Sequence, residues 1–146
     1  MSWRPQPSIR AVSLGIVWRG HELLLSEERV PDRVAFYRPL GGGIEFGESG
    51  LAALRREFRE ELGAELDDIR YLATLENIYA YEGATGHELV RVYEARLRDP
   101  SFYERDGWEF SFDDGSPGRA VWKALDALGD ASLYPDGLLE LLGSVR

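Results

Sequence analysis

The sequence predicts an α/β fold in which a mixed β-sheet is held between α-helices. Three observations carry that expectation. Ile9 to Trp18 alternates Val12, Leu14, Ile16 and Trp18 with Ala11, Ser13, Gly15 and Val17, the two-residue period of a strand. Leu51, Leu54, Phe58 and Leu62 recur at spacings of three and four between Ser49 and Gly63, which is the period of an amphipathic helix. Beyond that helix, segments 69–81 and 88–98 read as two strands joined by a turn at Gly83, Ala84, Thr85 and Gly86.

The remaining elements follow in chain order. Arg19 and Gly20 make a turn into a second strand spanning Glu22 to Ser26. Residues 27–38 are expected to be a loop that feeds the glycine-rich run Pro39 to Gly43. Ser49 is a natural N-cap for the long helix and Gly63 its C-terminal stop. Ala53 falls on the side of the helix occupied by Glu57, Glu60 and Glu61, where a small side chain leaves room. Residues 99–118 are polar, acidic and broken by glycine and proline, so they read as a loop. Ala120 to Lys123 is a short strand, and Asp136 to Leu142 a terminal helix anchored by Leu138, Leu139, Leu141 and Leu142. There are no repeats and no linker, so residues 1–146 are expected to form one domain.

Composition narrows the function classes. With 44% hydrophobic and 29% charged residues, the chain has the balance of an ordinary globular protein. No apolar run is long enough to span a membrane. The absence of cysteine excludes disulfides and thiolate metal sites and fits a cytoplasmic setting. A formal net charge of −9 makes nucleic acid or an anionic membrane an unfavourable broad partner. A small phosphate ligand remains compatible if a metal ion bridges the two negative partners.

The chemistry concentrates in one helix. Glu57, Glu60 and Glu61 stand at i, i+3 and i+4, so their carboxylates share a patch of helix surface. Like charges at that spacing repel unless a cation lies among them. Oxygen-rich carboxylate sets suit hard divalent ions such as Mg²⁺ or Mn²⁺. A solvated, ion-paired face is the plainer account of any Glu/Arg-rich helix, because both residue types are good helix formers. The glycines ahead of this helix favour the metal account: Gly41, Gly42 and Gly43 let backbone approach a ligand, and a glycine loop entering a helix suits a phosphate.

These residues resemble a known motif. Gly42, five residues, Glu48, seven residues, then Arg56, Glu57, Phe58, Arg59, Glu60, Glu61, Leu62 and Gly63 are similar to the Nudix box, with each spacing intact. Ala64 departs softly, standing where the family usually has a larger aliphatic residue. The resemblance implies a Nudix fold and a divalent-metal-dependent hydrolase that cleaves a P–O–P bridge in a nucleoside diphosphate derivative. On that resemblance Glu57, Glu60 and Glu61 would hold Mg²⁺, with Mn²⁺ able to substitute, and the carbonyl of Gly41 would join them. Glu60 is the box candidate for general base. Arg56 would orient the glutamates through charge-assisted hydrogen bonds, and Glu48 would stabilise the helix start or the loop.

Substrate contacts are less sharply marked. Gly42, Gly43, Arg38 and Tyr37 lie near the expected cleft, as do Phe36, Tyr79, Tyr81, Phe110 and Arg10. The family often stacks a nucleobase on an aromatic ring, although strand aromatics commonly do no more than pack a sheet. A carboxylate outside the box serves some members, and Glu109, Asp113 and Asp114 are candidates, with Glu76 and Glu88 as rivals. The segments around Glu76 to Val90, Tyr93 to Ala95 and Leu133 to Pro135 resemble a bacterial subgroup of the family. Homodimers are frequent in the family. Two other readings stay open: a non-catalytic nucleotide sensor, which would commonly have lost box glutamates, and an isoprenoid diphosphate isomerase, whose catalytic pair includes a cysteine that this chain lacks.

Overall fold

The computed structural model describes residues 4–112 and 114–145. The chain opens with β1 (Ile9–Ile16), the two-residue β2 (Trp18–Arg19), β3 (Glu22–Val30) and β4 (Arg33–Gly43). The long helix α1 (Gly50–Leu62) follows, then β5 (Leu66–Tyr81) and β6 (Ala84–Leu97). After a 3₁₀ turn at Pro100–Glu104 come β7 (Gly107–Ser111), β8 (Pro117–Ala124), β9 (Ser132–Leu133) and α2 (Leu138–Val145). The sheet runs β5-β6-β1-β4-β3-β8-β7, with β2 on β3 and β9 on β4. It is mixed because β1 pairs parallel with β6 and β4 pairs parallel with β9, while the other pairings are antiparallel.

Two apolar clusters hold the layers. One joins α1 to the sheet through Leu54, Phe58, Val17, Leu24, Leu40 and Trp122. The other joins α2 through Leu138 and Leu142 to Val12, Leu14, Val90 and Val92. Each fully buried leucine or phenylalanine contributes about 1.5–3 kcal/mol by leaving water. Glycine makes the α1 contact close, since a Cβ at Gly15 would stand 2.8 Å from the Phe58 ring.

The structure corrects several expectations. Residues 27–38 are a hairpin, not a loop, with Val30 opposite Arg33 and Asp32 in the left-handed region at φ 78°. Its charged residues hid the strand period, because Glu28 and Arg38 pair across the sheet at 3.0 Å. Residues 107–111 also form a strand, whose Phe110 is buried, beside β8. The glycine-rich run is strand as well: Gly41, Gly42 and Gly43 lie opposite Leu14, Ser13 and Val12. On α1, Leu51 is 41% exposed, and the buried face is Ala53, Leu54, Glu57 and Phe58. The helix is therefore rolled so that one carboxylate faces inward. In α2, Leu138 and Leu142 carry the contact, whereas Leu139 faces solvent.

Candidate functional site

α1 is well defined at both ends. The Ser49 hydroxyl accepts a hydrogen bond from the Ala52 N–H at 3.0 Å, and Gly63 at φ 64° donates its N–H to the Arg59 carbonyl at 2.9 Å. These caps set the register that presents Arg56, Glu57, Glu60 and Glu61 toward the end of β4. Ser13, opposite Gly42 in the sheet, ties the helix start down by donating its hydroxyl to the Gly50 carbonyl at 2.7 Å.

Arg56 is the hub of the site. Its Nε and Nη2 donate to the two oxygens of Glu48 at 2.8 and 3.0 Å, a bidentate pair. Nη2 also donates to the Gly43 carbonyl at 2.9 Å. Nη1 donates to Glu57 at 3.0 Å and to Glu60 at 3.3 Å. One guanidinium thus ties the loop, the end of β4 and two box carboxylates together. The cation that the clustered glutamates require is supplied in part by the chain itself.

The burial of the three glutamates differs. Glu57 is 3% exposed, and its carboxylate lies against Gly42, where a Cβ would come within 2.5 Å of it. Glu60 is the outermost, with 47% of its side chain exposed. Glu61 is half-buried, and its Oε1 is shielded from solvent. Among the described residues, no three His, Asp or Glu side chains stand together as a ready cation nest. The donor set nevertheless fits a hard divalent ion, because it is all oxygen and carboxylate-rich, and Gly42 lets the Glu57 carboxylate pack against the strand end where a Cβ would collide with it. Gly41 sits at φ +147°, and a Cβ there would lie 2.0 Å from the Ser13 carbonyl oxygen.

Arg56 holds the Glu48 carboxyl at a pKa of about 2, below its usual 4.5, chiefly through their hydrogen bonds and with help from the Glu45 N–H. A depressed folded-state pKa means that this contribution is present above the unfolded value and is lost as pH falls from about 4.5 toward 2. The destabilisation caused by Glu48→Gln is therefore expected to be largest near pH 7 and to shrink steadily below pH 4.5. Urea melts of both proteins across that range check it. A difference that stays constant down to pH 2 would show that the Glu48 charge does not support the loop.

The other sequence candidates fall in distinct places. Arg38 is committed to Glu28, with its guanidinium 6.0 Å from the Phe112 ring. Tyr37 is buried in the α2-side cluster, with the Lys123 ammonium 5.8 Å from its ring. Glu109 is exposed and paired with Arg119 at 3.0 Å on the neighbouring strand. Asp114 closes its own turn by accepting from Ser116 at 2.9 and 2.6 Å, and Asp113 lies outside the described residues. Glu76 accompanies His87 at 2.9 Å.

Glu88 is different, being 6% exposed, with Arg10 at 3.3 Å and the Tyr134 hydroxyl donating to it. Arg10 in turn covers Gly43, where a Cβ would stand 3.0 Å from its Nη2. A polar row of Arg10, Glu88 and Asn77 thus crosses the sheet on the face opposite the one that Glu57 packs against. Asn77 and Tyr134 belong to it, and sequence reasoning assigned neither of them a role. A polar residue within a strand of alternating polarity gives no local sign that it is buried.

Comparison with known proteins agrees with this fold. The NUDIX domain pattern matches residues 8–130. The NAD-capped RNA hydrolase NudC of Mycobacterium tuberculosis (strain ATCC 25177 / H37Ra) is 32% identical over 121 residues, covering 79% of this chain and 34% of NudC. The chain therefore spans about a third of the length of that curated relative. Among solved structures, the MutT NUDIX hydrolase from Burkholderia pseudomallei superposes with a TM-score of 0.63 at 22% identity, covering 95% of this chain and 99% of that one. A NUDIX hydrolase from Nitrosomonas europaea superposes at 0.58 and 22% identity, covering 82% and 74% respectively. No helix among the described residues is long and apolar enough to cross a membrane. With the domain pattern spanning most of its length and the box helix capped and docked as described, the chain belongs to the Nudix hydrolase family.

Proposed function

We propose that this protein is a divalent-metal-dependent hydrolase that cleaves the P–O–P bridge of a nucleoside diphosphate derivative. The observation that carries this reading is the inward-facing Glu57, held against Gly42 and fixed by Arg56 beside Glu60. Glu57, Glu60 and Glu61, with the carbonyl of Gly41, would hold Mg²⁺ or Mn²⁺. When bound, such an ion withdraws charge from phosphoryl oxygens and makes water easier to deprotonate.

The chain's own residues supply the rest. Glu60, the exposed member of the set, takes the proton of the attacking water. The water oxygen bonds to phosphorus as the bridging P–O bond breaks, and the electron pair leaves with the departing phosphate. Arg56 keeps Glu57 and Glu60 in place while Glu48 keeps Arg56 in place. The net charge of −9 favours a small nucleotide over an extended nucleic acid as substrate. The relative that acts on NAD-capped RNA keeps dinucleotide conjugates within the substrate class.

The test is product release from a panel of nucleoside triphosphates, dinucleotides and nucleotide sugars, in the presence of Mg²⁺, Mn²⁺ or EDTA. Metal-dependent turnover of one class, silenced by EDTA, is the expected result. No turnover of any member, with nucleotide binding retained, would replace hydrolysis by a sensor function.

A further inference from the structure

One half of the sheet is bare on the side that carries α1. In register, Ile9, Ala11 and Ser13 of β1 lie beside His87, Leu89 and Arg91 of β6, and those face Ile78, Glu76 and Thr74 of β5. Directly opposed residues share a sheet face, and Ser13 fixes which one, since its hydroxyl reaches Gly50 at the start of α1. The helix crosses from there toward Gly15 and Gly42 and leaves the outer strands exposed on this face from Tyr71 to Ala80. Nine large apolar side chains among the described residues are strongly exposed. Five of them, Ile9, Leu51, Tyr71, Ile78 and Leu89, gather on or beside this strip. Sheets that face water on one side alternate apolar with polar residues, so a plain solvated face does not explain Ile9, Ile78 and Leu89 on the outer side. Exposed apolar patches of this kind mark interaction surfaces.

The polar residues of the strip are sorted by strand. On this face β5 carries Tyr71, Thr74, Glu76, Ile78 and Ala80, with one carboxylate and no cation. The facing row of β6 is Thr85, His87, Leu89, Arg91 and Tyr93, with two basic groups and no carboxylate. His87 stands 2.9 Å from Glu76. Arg91 lies 4.6 Å from the centre of the Tyr71 ring and donates to Tyr93 and Thr74, so its charge has no carboxylate partner among the described residues. The whole chain carries −9, and two copies therefore repel unless they meet where acid is scarce. This strip is such a place.

We propose that the strip is the contact surface of a homodimer, packed face to face about a two-fold axis parallel to β5 and β6. An isologous contact presents the same patch from both copies. With the axis between the two strands, the β5 row of each copy lies on the β6 row of the other. Glu76 then meets Leu89 of the second copy, between that copy's His87 and Arg91, and opposite charges face each other twice. A partner of one sign would leave either Glu76 or the two basic side chains against like charge, whereas a second copy satisfies both. The first turn of α1, with Leu51, comes beside the open edge of the other copy's β5, the outermost strand of the sheet. That contact covers an edge that would otherwise offer its backbone groups to any passing strand.

Sedimentation velocity of the full chain across the micromolar range tests this. The wild-type protein is expected to sediment as a dimer at the upper end. Ile78→Lys and Leu89→Lys should each weaken association by about thirtyfold or more, the loss typical of an interface anchor. Their melting temperatures at monomeric concentration should not change, because both side chains face water in the single chain. Glu76→Lys should weaken association on the order of tenfold, and adding Arg91→Glu to it should restore the dimer. Leu139→Lys, a comparably exposed leucine on α2 across the sheet, should leave the dimer intact. A wild-type chain that stays monomeric throughout, or a dimer that survives both Ile78→Lys and Leu89→Lys, would overturn the interface. So would a dimer lost in Leu139→Lys, since that places the contact on α2. Unchanged association in Glu76→Lys would overturn the pairing of the two rows. None of these outcomes depends on which nucleotide, if any, the box hydrolyses.

Discussion

Replacing Glu60 by glutamine is expected to lower turnover by about 10²–10⁴-fold, the usual contribution of a positioned general base, while the fold stays intact. The structure separates these two effects. Glu60 is nearly half exposed, and its hydrogen bond to Arg56, at 3.3 Å, is the longest that Arg56 makes to a box carboxylate. Glutamine keeps the length of the side chain and an acceptor for that bond, but it cannot take a proton from water. The melting temperature should therefore move little while kcat falls and substrate binding is largely kept. Glu57→Gln behaves differently, because Glu57 is buried against Gly42 and paired with Arg56 at 3.0 Å. There both turnover and stability should suffer. Steady-state kinetics on the substrate class found by the panel, with thermal melts of both variants, provide the check. Near wild-type turnover in Glu60→Gln would move the base out of the box, and Glu109 and the acidic segment around it would be the next to substitute.

Gly41→Ala is expected to be the most damaging single change in backbone conformation near the site. Gly41 occupies φ +147°, a region essentially closed to L side chains, and that alone costs about 1–3 kcal/mol. The added Cβ would also overlap the Ser13 carbonyl oxygen and press on the Leu14 Cα at 2.9 Å, both rigid backbone atoms of the neighbouring strand. Strand β4 would have to part from β1 where it carries Gly42 and Gly43 to the box. Gly129→Ala is the control, since it also has a positive φ, at 65°, but open space around its Cβ position. Chemical denaturation of both variants decides between strain and contact. If Gly41→Ala costs no more than Gly129→Ala, the close approach of β4 to β1 is not what glycine serves there.

The parts of this protein that could be read from the chain are those whose cause is local. The capped helix α1, the hairpin of β5 and β6, and the spacing of Gly42, Glu48, Arg56, Glu57, Glu60 and Glu61 all follow from periodicity and cap chemistry within a few turns. The hairpin of β3 and β4 escaped because its charges pair across strands, as Glu28 does with Arg38, so its polarity resembled that of a loop. Strand β7 escaped because glycines and acidic residues crowd a short edge strand whose buried Phe110 is visible only beside β8. The exposure of Leu51 escaped because the helix period allows several rolls, and packing against Gly15, Gly42 and Leu40 selected one that buries Glu57.

The sequence by itself determined the family, the box and the residue types able to hold a hard cation, since all of these lie within one short segment with fixed spacing. The tertiary structure alone decided which glutamate turns inward and that Arg56 joins Glu48, Gly43, Glu57 and Glu60. It also decided that Arg10, Glu88 and Asn77 form one row, although Arg10 and Glu88 are 78 positions apart in the chain. The reason is physical: strand pairing places distant residues side by side through backbone hydrogen bonds. Those bonds are indifferent to side-chain identity, and so they leave no local mark in the sequence.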